Sequence, residues 1–427
     1  MTKSLKKTCR FVKGAKNAAI YDLANKKVYA LNATGKAIVE DFVVDPSKLN
    51  QQGVEYINRL SELDLIEDND SVYHEECEQH IRPDCRLHYV WLELTNQCNL
   101  RCAHCYGQFG SQAAKSENTA TMTTEDWKLI IREIKNAGCT EIQLIGGEPL
   151  CFSGVKEVLT YAHGIGMKRI DVFTNATLLD ENFIRLAKET RANLKVSLYG
   201  HDEQTHDLFT GVKGSFKKTE NALKLMREHE IPTRIAITIT KANESYIDNI
   251  KGYIESIGHK YSGYDTIRQV TGNVNGDNCV TDVEILKKRY RAVADFYTSE
   301  ERFAYNMYWN SCWSGKLAIT DSGDVLPCTF ARDTVIGNIL NESLNNVLDK
   351  TQLYWSMTLD QVDVCKDCEY RYACHNCRPL AMSIGENINS KEARCCYDPY
   401  KGIWCDIREC TKELSATNCD EELEKYW

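Results

Sequence analysis

From residue 87 to about 300 the chain alternates short apolar runs with amphipathic stretches of helical period. Leu87–Leu94 is such a run, of the kind that forms a buried parallel strand. Thr124 caps a following helix with Trp127, Ile130, Ile131 and Ile134 on one face, ended by Gly138. Glu141–Ile145, Arg169–Phe173, Leu194–Leu198, Ile235–Ile239 and Thr266–Val270 repeat the strand pattern, while Val155–Ala162 and Phe183–Ala187 repeat the helical one. This repetition predicts an α/β fold with a parallel sheet or partial barrel. Its chemistry belongs in the loops after the strand C-termini.

The motifs fall in those loops. Cys98, Cys102 and Cys105 follow the first strand in the spacing C-x-x-x-C-x-x-C. Gly146-Gly147-Glu148-Pro149 follows the second, Thr174-Asn175-Ala176 the third, and Ser197 closes the fourth. Three thiolates hold three irons of a 4Fe–4S cube and leave the fourth open. A zinc site needs four ligands. No fourth Cys or His is suitably spaced nearby except His104, inside the loop.

A net charge of −9 argues against a nucleic-acid surface, and no apolar run reaches membrane-spanning length. The basic start Met1–Arg10 lacks the apolar stretch of a signal peptide, so the expected location is cytoplasmic. In such a chain twenty cysteines read as metal ligands rather than disulfides. Cys9, Cys77, Cys85, Cys139, Cys151 and Cys279 are scattered and read as small core residues. Eleven others lie between 312 and 419. There Cys312, Gly323 and Cys328 precede Cys365-x-x-Cys368, Cys374-x-x-Cys377, the pair Cys395 and Cys396, and then Cys405, Cys410 and Cys419. Four thiolates suit zinc and iron–sulfur alike, so spacing alone leaves both open.

Residues 1–85 read as a separate module. A hairpin over Asn17–Asn32 precedes a helix from Thr34 to Phe42, with Thr34 near its cap. A second helix within Gln51–Ile66 has Val54, Ile57, Leu60 and Leu63 on one face. This order fits a winged-helix-like fold. The expected segments are thus 1–85, 86–305 and 306–427, with the acidic stretch Glu67–Glu78 as a linker.

On the cysteine triad, the Gly-Gly-Glu-Pro run and their ordered placement, residues 87–300 resemble the radical S-adenosylmethionine (SAM) superfamily. The resemblance implies a partial (β/α)6 barrel in which Cys98, Cys102 and Cys105 hold a 4Fe–4S cluster. SAM chelates the open iron and is cleaved to a 5′-deoxyadenosyl radical that abstracts hydrogen from substrate. It further implies SAM contacts from His104, Tyr106, Gly146, Gly147, Glu148, Asn175, Ser197 and Arg268, the glycines allowing close backbone approach. An external donor such as flavodoxin or ferredoxin supplies the electron.

The C-terminal spacing resembles the SPASM domain, which implies two auxiliary 4Fe–4S clusters and three in all. By position, Cys312, Cys328 and Cys377 ligate the first. Cys365, Cys368, Cys374 and one of Cys395 or Cys396 ligate the second. This chain departs from the pattern in having two residues, His375 and Asn376, where relatives have three, and in lacking a cysteine across Tyr305–Ser311. The first auxiliary cluster therefore has an iron open to a substrate thiolate, unless Cys279 or a later cysteine fills it. Val28–Gly35 before a helix resembles a PqqD-like leader-recognition element. Together these imply an oxidoreductase that matures a ribosomal precursor peptide bound through its leader. A thioether from a Cys is the first expectation and a carbon–carbon cross-link close behind. The alternatives are a formylglycine-type protein maturase and a non-catalytic, metal- or cluster-containing peptide-binding protein.

Overall fold

The structure, a computed structural model, describes residues 2–69, 82–102, 104–109, 121–267, 296–384, 387–392 and 395–404. Arg268, Cys77, Cys279, Cys405, Cys410 and Cys419 lie outside the described residues. The chain falls into two compact units. One gathers 1–84, 282–312 and 356–427; the other gathers 85–281 and 313–355. This division follows different lines from the three sequence segments.

In the first unit, β1 (Thr2–Leu5) pairs with β5 (Ile66–Asn69), and β2 (Cys9–Lys13), β3 (Ala18–Asp22) and β4 (Lys27–Leu31) form an antiparallel sheet. The β3–β4 hairpin keeps the register Ala18↔Leu31 through Asp22↔Lys27. All five residues of β3 are buried, because each face of the sheet meets its own core. Ala18 and Ile20 pack with Val39 and Phe42 of α1 (Ala33–Val44) and with Ile57 and Leu60 of α2 (Gln51–Glu62). Ala19 and Tyr21 pack with Phe303, Tyr370, Ala373 and Tyr397. The Tyr21 hydroxyl also donates to the Glu369 carbonyl at 2.7 Å. The first core accounts for the two helices, with one correction, on the face of α2. The cap near Thr34 is Asn32, whose side chain accepts from Gly35 N. Val54 and Leu63 are 47% and 49% exposed, because the buried stripe of α2 runs through Gly53, Ile57 and Leu60 instead.

The second unit is built on β6 (Tyr89–Glu93), β7 (Glu141–Ile145), β8 (Arg169–Thr174), β9 (Asn193–Leu198), β10 (Thr233–Ile239) and β11 (Tyr264–Thr266). These six lie side by side in chain order, every neighbouring pair parallel. The sixth strand ends at Thr266, where the sequence reading begins it. Crossover helices include α3 (Thr124–Asn136), which buries Trp127, Ile130, Ile131 and Ile134. Its cap is Thr123, one residue before the expected Thr124, in a reciprocal capping box with Asp126. Beyond β6 the sheet gains β12 (Lys316–Ile319), β13 (Asp324–Leu326) and β14 (Gly337–Asn338), making nine strands. β12 lies parallel to β6, and its Leu317, Ala318 and Ile319 are fully buried. A segment expected in the C-terminal domain thus covers the edge of the barrel's first strand.

The strand ends differ in chemistry. Buried Asp171, near the start of β8, is held by Lys195 at 2.8 Å and by Arg169 and Asn193. These contacts hold its pKa below the usual carboxylate value despite burial, and the N-terminal end of a barrel is where structural ties concentrate. The motif loops leave the opposite end. Among the described residues no helix is long and apolar enough to cross a membrane.

Candidate functional site

The loop after β6 is pinned before it presents its thiols. Asn96 N donates to Asp321 Oδ2 at 2.9 Å, and Arg101 N to the Thr210 carbonyl at 2.9 Å. Leu100 N donates to Cys98 Sγ at 3.4 Å, and Cys105 N closes a turn onto the Cys102 carbonyl at 3.2 Å. Burial raises all three thiol pKa values, that of Cys98 to about 12, and Cys98 and Cys105 each push Cys102 further up. The three thiols therefore lie within electrostatic reach of one another. They are protonated without a metal, so metal binding must release protons. Among the described residues no three His, Cys, Asp or Glu side chains are gathered as a single metal ion requires.

The Gly146–Gly147 pair is explained by this loop. A Cβ on Gly146 would sit 2.4 Å from the Thr95 carbonyl oxygen, and one on Gly147 would sit 2.3 Å from that of Gln97. Gly146 also has φ +143°, which favours glycine. The close approach lets Gly147 N donate to Thr95 O and Glu148 N to Gln97 O, both at 2.8 Å. The glycines thus clamp two motif loops together, a contact the sequence reading did not foresee. Glu148, 1% exposed, ties the third loop in. Its carboxylate accepts from Thr174 Oγ1 at 2.6 Å, Asn175 N at 2.8 Å and Leu150 N at 3.2 Å. Burial nevertheless pushes its pKa up to about 7. The Asn175 side chain is engaged as well: its Nδ2 donates to Asn99 Oδ1, and its Oδ1 accepts from Thr177.

An aromatic wall completes the site. The His104 ring lies 4.2 Å from that of Phe209 and 4.8 Å from that of Tyr199, and burial lowers its pKa to about 3. Its Nδ1 is buried without a hydrogen-bond partner. The Tyr106 ring lies 5.2 Å from Phe330 and 5.5 Å from Phe109, and its hydroxyl donates to Glu93 at 3.4 Å. Both carboxylate oxygens of Glu93, the 2% exposed last residue of β6, accept from Arg332 Nη1, at 2.7 and 2.8 Å. Glu93 and Arg332 escaped the sequence reading. The available signal was an acid closing a buried strand, which must find a partner.

One cavity of about 200 Å³ is lined by Cys98, Cys102, Cys105, His104, Tyr106, Gly146, Gly147, Glu148, Asn175 and Ser197. Every expected site residue of this region thus meets there except Arg268, which lies outside the described residues. Thr238, Asp265 and Thr266, at the ends of β10 and β11, join the lining without having been expected. Residues 92–293 match the Radical SAM superfamily, and residues 312–378 match the iron–sulfur cluster-binding SPASM domain.

The protein is a radical SAM enzyme.

Its domains imply SAM and 4Fe–4S clusters. The cavity fits them: three thiols on one loop, a buried imidazole nitrogen lacking a partner, and hydroxyl, amide and carboxyl groups from four strand ends. The enzyme is 26% identical over 342 residues to an AdoMet-dependent heme synthase of Methanosarcina barkeri, covering 72% of this chain and 96% of that protein. It is also 26% identical over 277 residues to the sporulation killing factor maturation protein SkfB of Bacillus subtilis, covering 60% of this chain and 63% of SkfB. Its fold resembles Streptococcus suis SuiB, solved bound to precursor peptide SuiA. That similarity has a TM-score of 0.55 at 16% identity, covering 91% of this chain and 98% of SuiB.

The first unit of the enzyme gathers a second cysteine set. Cys395 raises the pKa values of both Cys365 and Cys368, and Cys374 that of Cys368. Cys365, Cys368, Cys374 and Cys395 are therefore electrostatic neighbours. Cys377 N donates to Glu392 Oε2 at 3.0 Å. Cys312 and Cys377 belong to this unit, and Cys328 to the other.

Proposed function

We propose that the enzyme matures a ribosomally made precursor peptide, installing a cross-link on its core residues. The observation that carries this is the β2–β3–β4 sheet built ahead of the barrel. Its outer strand β4 is bridged by Tyr297 at Lys27 and exposed at Ala30. Gly14 N bonds to Asn17 O and Leu23 N to Thr8 O, so the β3–β4 register turns the Ala30 backbone groups outward. A leader segment docks there as an added strand, as a PqqD-like element does, with backbone hydrogen bonds supplying the affinity. SuiB, whose fold likeness covers 91% of this chain, was solved with its precursor, and SkfB is a maturation protein.

Cys98, Cys102 and Cys105 would hold a cluster, with SAM beside it among His104, Tyr106, Gly146, Gly147, Glu148, Asn175 and Ser197. Bound there, the pair supplies reductive SAM cleavage and hydrogen-atom abstraction. The chain's own contribution is placement and shielding. The glycine clamp fixes the cysteine loop, Glu148 ties it to the third strand, and Tyr106, Phe109 and Phe330 wall the cavity. The count of three clusters rests on the cysteine spacing, and Cys365, Cys368, Cys374 and Cys395 make up one auxiliary set. A thioether remains the first choice of bond, a carbon–carbon link the second, and a flavodoxin or ferredoxin the electron donor.

A second reading has its own support, since the heme synthase relative is matched over 96% of its length. Such an enzyme would act on a tetrapyrrole and need no leader site. Deleting residues 1–85 cannot separate the readings, because the loss of β3 would uncover Phe303, Tyr370 and Tyr397. Ala30→Pro is cleaner: it removes one outward N–H at a sheet edge. Leader affinity, measured by fluorescence anisotropy with a labelled precursor, should fall at least tenfold while SAM cleavage without peptide stays unchanged. Undiminished leader binding in this variant sinks the docking mode. Absence of any leader binding to the parent enzyme favours the tetrapyrrole.

A further inference from the structure

Arg378, next to Cys377 in the chain, is fully buried. Its guanidinium donates to Asn376 Oδ1 at 3.0 Å from Nε, and through Nη1 to the Ile388 and Ser390 carbonyls at 2.8 and 2.9 Å. All three acceptors are neutral. Among the described residues no carboxylate forms an ion pair with it. An arginine cannot shed its proton to escape burial, so a charge this deep needs a counter-charge. Charged groups that act on it include the Cys365, Cys377 and Cys374 thiols and the Glu392 carboxyl. Glu392, itself buried, accepts from the Cys377 amide through Oε2 at 3.0 Å.

We infer that Arg378 is the counter-charge of an anionic iron–sulfur centre held by Cys365, Cys368, Cys374 and Cys395. The inference rests on the reading that these cysteines hold a cluster. Thiolate ligation puts negative charge where the guanidinium waits, and a buried cation beside the cluster favours its reduced, more negative state. Net charge and burial are among the levers that set cluster potentials. Arg378 is therefore a positioning and tuning residue whose side-chain hydrogen bonds fix where its charge sits.

The test uses the full-length protein carrying C98A/C102A/C105A, so that only auxiliary clusters remain, titrated with a low-potential chemical reductant and followed by electron paramagnetic resonance. Arg378→Gln should lower the midpoint potential of one auxiliary signal by about the equivalent of a tenfold loss in its reduction constant, ~59 mV for one electron. Arg378→Lys, which keeps the charge, should stay near the parent. No iron–sulfur signal in the parent defeats the cluster reading itself. A clear signal with the same potential in Arg378→Gln defeats only the role given to Arg378. If Arg378→Gln loses iron, retention by Arg378→Lys supports the charge argument. Loss in both variants overturns it, since the hydrogen bonds to residues 376, 388 and 390 would then be what matters.

Discussion

Replacing Arg332 by methionine strands a buried acid. Glu93 would lose both close contacts to the guanidinium and keep only the Tyr106 hydroxyl at 3.4 Å. Leaving a carboxylate buried without its partner costs roughly 3–5 kcal/mol. Glu93 can avoid that cost by taking a proton, and burial already pushes its pKa upward, with Arg332 opposing. From an ordinary value near 4.5, staying protonated in the folded state costs about 1.4 kcal/mol per pH unit above that value. The ceiling is thus about 3 kcal/mol at pH 7 and about 1 kcal/mol at pH 5.5. The sign follows from the raised folded pKa. The variant's stability is intact below about pH 4.5 and is lost as pH rises toward the folded value. Urea unfolding of metal-free parent and variant at the two pH values, read by tryptophan fluorescence, should give a gap about twofold or more larger at pH 7. Adding Glu93→Gln should remove the pH dependence and recover part of the loss. Equal losses at both pH values, or no recovery in the double variant, would refute this account of the pair.

Three further outcomes follow from the geometry. Gly147→Ala forces a methyl to 2.3 Å from the Gln97 carbonyl oxygen. It should cost about 1–3 kcal/mol and lower iron bound at the Cys98 loop, read by melting temperature and iron content. Cys395→Ala should release one cluster's worth of iron, whereas Cys396→Ala should retain it, because Cys395 is the residue felt by Cys365 and Cys368. Glu148→Gln should flatten the stability profile. The parent carboxyl, raised to about 7 from 4.5, makes the protein less stable as pH climbs from about 4.5 through 7, and thermal melts at pH 5.5 and 7.5 will show whether the variant loses that slope.

The barrel was legible because two periods coincide in it. Glu141–Ile145 was delimited to the residue, since its apolar run is bounded by a turn before and Gly146 after. The motif loops could be ordered because each follows such a run. What escaped were contacts between distant stretches. Nothing local marks Lys316–Ile319 as the partner of Tyr89–Leu92, and nothing marks Arg332 as the partner of Glu93. The α2 face was misjudged because Val54 and Leu63 satisfy a helical period that the adjoining sheet does not use. In the sequence Gly146 and Gly147 suggest room for a cofactor, yet in the fold their neighbours are the carbonyls of Thr95 and Gln97. Seeing that Cys395 acts on Cys365 and Cys368 needed the fold, since adjacent residues are equivalent in spacing.

The central claim is that this radical SAM enzyme acts on a peptide. High-resolution mass spectrometry of a candidate precursor, after anaerobic turnover with reconstituted enzyme, reductant and SAM, tests it most directly. The account predicts a loss of about two mass units per link, from two hydrogens removed, confined to the core segment and absent with the C98A/C102A/C105A variant. An unchanged precursor mass alongside active SAM cleavage would contradict it.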